Sequence, residues 1–115
     1  MGYLDIMSSN LNEKSVTLTV FPMTFLDLEL RSEESGKNLG DLYVEAVSNY
    51  VSDCQPDRLK VFAAPGAGKR IRVNLDRSLY YALLKKIGNS GVNMKDAVYT
   101  ALEYYLDQNL EAVAA

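Results

Sequence analysis

Two short stretches of the chain alternate between apolar side chains and side chains that can make directed hydrogen bonds. In residues 70–75, Arg70, Arg72 and Asn74 alternate with Ile71, Val73 and Leu75, and in residues 15–20, Ser15, Thr17 and Thr19 alternate with Val16, Leu18 and Val20. A period of two is that of a strand, so each stretch predicts a strand with one apolar and one polar face. The polar types suit the edges of nucleobases. Arginine donates to O6 and N7 of guanine, asparagine pairs with adenine, and threonine offers a hydroxyl and a methyl that meets the thymine methyl. A surface strand selected only for solubility carries similar residues, so the reading depends on what surrounds these strands.

The charge distribution supports an anionic partner. The net charge is −3, but residues 1–56 carry three Lys/Arg against nine Asp/Glu, while residues 57–115 carry nine against six. The segment 57–86 alone holds Arg58, Lys60, Lys69, Arg70, Arg72, Arg77, Lys85 and Lys86 against Asp57 and Asp76. Local potential, rather than net charge, decides whether phosphates are attracted. A charge run is often no more than a solvated face; here its densest part lies on a strand.

Each strand runs into a pair of helices. Asp76 is a good N-cap for a helix over Arg77–Asn89, with Tyr80, Leu83, Leu84 and Ile87 at helical spacing. The start of the earlier helix is open between Phe21, with Pro22 at the first helical position, and Thr24, with Asp27 three residues on. Gly36 and Gly91 are placed to stop these helices, and Asn38 and Asn93 to cap the next ones, with Asp41 and Asp96 three residues later. In those second helices Leu39, Leu42, Tyr43, Ala46, Val47, Tyr50 and Val51 form a wide apolar stripe, and Met94, Ala97, Val98, Ala101, Leu102, Tyr105 and Leu106 repeat its offsets.

The two halves also match in register. Sliding residues 15–53 onto 70–108 superimposes Leu28/Leu83, Ser35/Ser90, Gly36/Gly91, Asn38/Asn93, Asp41/Asp96, Ala46/Ala101 and Tyr50/Tyr105. A unit of ~40 residues cannot bury a stable core alone, so the halves are expected to fold against each other. The organisation read from this is a mobile arm (1–14), copy one (15–53), a linker (54–69), copy two (70–108) and a tail (109–115). A linker of this length reaches roughly 50 Å when extended, and its Leu59, Val61 and Phe62 are expected to lie on the domain.

Strand–helix–helix with a Gly-x-Asn joint, found twice, resembles the ribbon-helix-helix family of Arc, MetJ and CopG repressors. The likeness covers residues 15–53 and 70–108. Its tandem form resembles fused variants among conjugative accessory proteins and archaeal viral regulators. The resemblance implies a mainly α fold with a two-stranded antiparallel β-ribbon: a tandem ribbon-helix-helix pseudo-dimer in the order β-α-α-linker-β-α-α, with the ribbon entering the DNA major groove. Thr17, Thr19, Arg70, Arg72 and Asn74 are then the base-contacting residues. The family clamps phosphate with the N-terminus of its second helix, which here falls on Lys37, Asn38 and Leu39 and on Val92, Asn93, Met94 and Lys95. Backbone N–H groups and the helix dipole there favour an anion, although Asp41 and Asp96 weaken the field. Ser15 and Lys69 join the phosphate contacts at the ribbon ends.

Other motifs fail on inspection. The stretch APGAGKR (64–70) lacks the leading glycine and the Ser/Thr of a phosphate-binding loop and is followed by a strand where that motif needs a helix. Tyr43, Tyr50, Tyr80 and Tyr105 fall on buried stripes, whereas Tyr81, Tyr99 and Tyr104 are expected to be partly exposed and available to a protein interface. With no histidine and only Cys54, zinc sites and histidine catalysis are excluded, and the carboxylates show no convergent partner, so neither an enzyme nor a cofactor is expected. No apolar run approaches the ~20 residues of a membrane span, and the N-terminal MGYLDIMSSNLNEK has no signal-peptide character. These readings converge on a cytoplasmic, sequence-specific double-stranded DNA-binding transcriptional regulator. Repression is the family's common mode, and activation stays open. A single ribbon touches few bases, so a homodimer or higher oligomer on DNA is expected. The alternatives are a conjugative accessory protein at a transfer origin and an antitoxin-type interaction module, against which the short tail NLEAVAA argues.

Overall fold

A computed structural model of the chain describes residues 13–53, 62–88 and 92–114, with side-chain surroundings described as far as Asp107. The elements are strand β1 (Glu13–Val20), helix α1 (Pro22–Ser35), helix α2 (Leu39–Asp53), strand β2 (Lys69–Asp76), helix α3 (Arg77–Ile87) and helix α4 (Met94–Ala114). The strands pair antiparallel with Glu13 opposite Asp76, Thr17 opposite Arg72 and Val20 opposite Lys69.

An isolated two-stranded ribbon is marginal in water unless its apolar face is covered. Here Val16, Leu18, Val20, Ile71, Val73 and Leu75 all point into the core. They meet Leu28 of α1, Leu42 and Val47 of α2, Leu83 of α3, and Val98 and Leu102 of α4. Each fully buried aliphatic side chain contributes roughly 1.5–3 kcal/mol of transfer free energy. Helix α4 is the centre of the assembly, with every residue from Ala97 to Leu102 buried. For that reason Tyr99, expected at the surface, is 5 % exposed and stacks edge-on against Phe21 at 6.4 Å. Tyr81 does face solvent, and Tyr104 is half-buried against Tyr50.

The helix ends follow local chemistry. Phe21 occupies the N-cap of α1 without a side-chain cap bond, and Pro22 sits in the first turn, which settles the open start in favour of proline. Asn38 Oδ1 accepts from Asp41 N at 2.8 Å, Asn93 Oδ1 from Asp96 N at 2.9 Å, and Asp76 Oδ1 from Leu79 N at 2.8 Å. Gly36 ends α1 at φ 74, the left-handed conformation that glycine adopts at least cost.

The expected tandem pseudo-dimer, β-α-α-linker-β-α-α, is corrected by this structure. One two-stranded antiparallel sheet and a mainly helical chain with four helices are present among the described residues, but the chain is not a tandem β-α-α repeat. α1 has 14 residues and α3 has 11, while α2 has 15 and α4 has 21. α3 ends at Ile87 with Gly88 as its C-cap, and Asn89 and Gly91 lie outside the described residues. The described part of the linker, from Phe62, lies on the domain through its backbone, with the Phe62 side chain exposed. Phe62 N donates to Thr100 Oγ1 at 2.8 Å, and Ala64 N donates to Asp96 Oδ1 at 2.9 Å, which ties it to α4. The physical reason is that the matched positions are core stripes and caps. Any two amphipathic helices packing on a common ribbon need those, whatever their lengths.

Strand β1 begins at Glu13, so the arm expected over 1–14 gives up its last two residues to the ribbon. The rest of that arm, Gly91, Cys54, Leu59 and Val61, and the side chains of the 109–115 tail lie outside the described residues.

Candidate nucleic-acid interface

The outward face of the ribbon consists of two opposed rows. Ser15, Thr17 and Thr19 line one strand, and Asn74, Arg72 and Arg70 stand directly across from them on the other. Alternation puts these six outward because their neighbours are buried beneath. All three β2 residues are exposed, as is Ser15, while Thr17 and Thr19 are half-exposed. Among the described residues no ion pair holds Arg70 or Arg72. Their guanidinium groups therefore stand outward, supported by a rigid sheet that fixes their spacing.

One pair is already closed. Ser15 Oγ donates to Asn74 Oδ1 at 2.7 Å, which orients the Asn74 amide with its NH2 outward. Ser15, expected to meet phosphate, is exposed and also holds this neighbouring side chain.

The ribbon's two ends differ in charge. At one end Glu13 faces Asp76, and both are exposed. At the other end Lys69 is exposed, with its ammonium 5.0 Å from the centre of the Phe25 ring, a cation–π distance. Beside it a polar cleft of about 380 Å³ is lined by Thr17, Thr19, Arg70, Asn93, Lys95 and Asp96 together with Ala64, Pro65 and Gly66. The cleft brings two ribbon threonines, the cations Arg70 and Lys95, and the N-terminus of α4 to one place. It is therefore the stronger anion-attracting end. The Asp96 carboxylate is partly spent on Ala64 N, which limits its repulsion of an incoming anion.

The residues expected to contact phosphate in the first half have partners within the fold. Lys37 Nζ is bonded to Glu45 Oε1, and Glu45 Oε2 accepts from Tyr105 OH at 2.8 Å. Those partners hold the Glu45 carboxyl below the usual carboxylate range, the Lys37 bond first and the Tyr105 bond second. Lys37 is thus part of a bridge between α2 and α4. Asn38 serves as a cap, and Gly40 stands where the second half has Lys95. Met94 is half-buried and packs on the core.

Sequence reasoning passed over Glu13 on the ribbon face and the double role of Asp96, and considered residues 64–66 only as a phosphate-binding loop. Glu13 continues the odd-numbered outward row and was legible in principle, whereas the tether of 62–64 to α4 spans more than 30 residues and has no local signal.

No helix of the described residues is long and apolar enough to cross a membrane. Comparison with protein-family models, curated proteins and solved structures gave no match.

Proposed function

We propose that this chain is a sequence-specific double-stranded DNA-binding transcriptional regulator that lays its β-ribbon in the major groove, as the ribbon-helix-helix regulators it resembles do. The observation that carries this reading is the ribbon's outer face: Arg70, Arg72 and Asn74 held in one exposed row opposite Thr19, Thr17 and Ser15. A groove about 12 Å wide admits such a ribbon, and these side chains match the donor and acceptor pattern of base edges. Lys69, Lys95 and the α4 N-terminus supply the sequence-independent attraction to phosphate at the cationic end. Because one row is hydroxylic and the other cationic, the preferred subsite is non-palindromic, with the stronger base contacts on the β2 side. Repression by occluding a promoter is the common mode of the regulators it resembles, and activation stays open.

Selection from a random duplex library, followed by footprinting on the region upstream of the coding sequence, tests this. A defined motif protected by wild type and relaxed by Arg72→Ala supports the reading. Absence of duplex binding at low salt, or equal loss by Arg72→Ala on every sequence, overturns it.

A further inference from the structure

The outer faces of α1 and α3 carry large apolar residues that no part of the described fold covers. On α1, Met23, Leu26 and Leu30 are 66 %, 45 % and 47 % exposed, and on α3, Tyr81 and Leu84 are 46 % and 40 % exposed. The surrounding charges have opposite signs. α1 carries Asp27, Glu29, Glu33 and Glu34 against a single Arg31, which reaches Glu34 at 3.5 Å. α3 carries Arg77 and Lys85 beside this face and no acid, while Lys86 Nζ donates to Val51 O at 2.8 Å. A groove of about 270 Å³ beside α1, lined by Asp27, Leu30, Arg31, Glu34 and Leu106, gives an incoming side chain a place to seat.

We propose that these two faces are the complementary halves of one self-association surface, so that α1 of one copy docks on α3 of the next. Charge complementarity selects this pairing. Two α1 faces would set acid against acid and two α3 faces base against base, and like charges brought together are strongly disfavoured. Fold geometry keeps the halves apart within one chain. α1 begins after Val20, at the ribbon end held by Lys69, and α3 begins after Asp76, at the end held by Glu13. Seven strand steps separate the two starts by about 24 Å. A heterologous contact of this kind does not close on itself and builds an open, head-to-tail array. The contact is independent of whether the ribbon binds DNA.

Sedimentation of the full chain without DNA, across a wide concentration range and at low and high salt, tests the proposal. Average mass should rise with concentration and fall with salt, because rim charges are screened. Reversal of α1 (Asp27→Lys with Glu34→Lys) and, separately, of α3 (Arg77→Glu with Lys85→Glu) should each weaken self-association roughly tenfold or more. Mixing the two reversed proteins should restore association, as should all four changes in one chain. Circular dichroism confirms that each variant is folded. A wild type that stays monomeric at every concentration overturns the proposal. So does association that survives the α3 reversal, or a mixture that fails to associate.

Discussion

Thr17 and Arg72 stand opposite each other at the middle of the ribbon, both on its outward face. They are also 55 positions apart, the offset at which the two halves align, so the antiparallel pairing is centred on this couple. A small hydroxyl beside a long guanidinium leaves Arg72 room to extend outward, which under the proposed function is along the groove floor. Arg72→Ala should therefore cost ~1–3 kcal/mol on the preferred duplex and relax preference at one base position. Affinity for random DNA should fall far less, and the melting temperature should not move, because the side chain packs on nothing in the core. Binding titrations on both duplexes, with a thermal melt, check all three outcomes.

The neighbouring pair, Ser15 and Asn74, predicts a subtler effect. The Ser15 hydroxyl holds Asn74 Oδ1 at 2.7 Å, which pre-orients the amide before it meets a base. Ser15→Ala should lower discrimination at the base read by Asn74 by about 1 kcal/mol, the net worth of one hydrogen bond, and leave affinity for unrelated sequences unchanged. If Ser15 instead touched phosphate, the substitution would weaken all duplexes alike. Measuring affinity over a set of single-base variants separates the two.

What could be read in advance was local. The alternation of Val16, Leu18 and Val20 with hydroxyl residues, and of Ile71, Val73 and Leu75 with Arg70, Arg72 and Asn74, depends only on the two-residue period of a strand. The caps Asn38, Asn93 and Asp76 depend on a bond three residues away. What could not be read was long-range. The Lys37–Glu45–Tyr105 bridge joins positions 60 residues apart, and it gives Lys37 a carboxylate partner that no local pattern announces. Matched stripes and caps also suggested two equal copies, because periodicity reports which face a helix buries and says nothing of where the helix ends. Tyr99 was misplaced for a related reason. Its helix is buried on all sides from Ala97 to Leu102, and a one-sided stripe is the wrong template for a central helix.

Gly68 predicts a stability effect at the mouth of the ribbon. Its φ is 145, and a Cβ placed there would lie 2.3 Å from the Val20 carbonyl oxygen, a backbone atom of the last ladder pair. Gly68→Ala should cost at least about 1 kcal/mol and lower the melting temperature by several degrees. It should also reduce DNA affinity by loosening the Lys69–Arg70 end. The control Gly66→Ala meets nothing within 4 Å and should leave the melt unchanged.

The last prediction concerns pH. Glu103 of α4 is largely shielded and its carboxyl is pushed above the ordinary range, first by burial, then by the charges of Asp107 and Asp27, against a lowering bond from Thr24. A carboxyl whose folded pKa is raised binds its proton more tightly folded than unfolded, so the ionised form carries a penalty at neutral pH. That penalty shrinks as pH falls through the raised value and vanishes below the unfolded one. Glu45 is the opposite case, its carboxyl depressed by Lys37 and Tyr105. It contributes stability at neutral pH that is lost as pH falls from the unfolded value through the depressed one. Glu103→Gln should therefore raise the melting temperature at pH 7, and its advantage over wild type should disappear on acidification. Glu45→Gln should lower the melting temperature at pH 7, with a deficit that narrows over the more acidic window. Melts of the three proteins from neutral to acid pH distinguish these trends, because the two carboxyls titrate on opposite sides of the ordinary carboxylate range. A wild-type stability that is flat across both windows would show that neither carboxyl is coupled to folding.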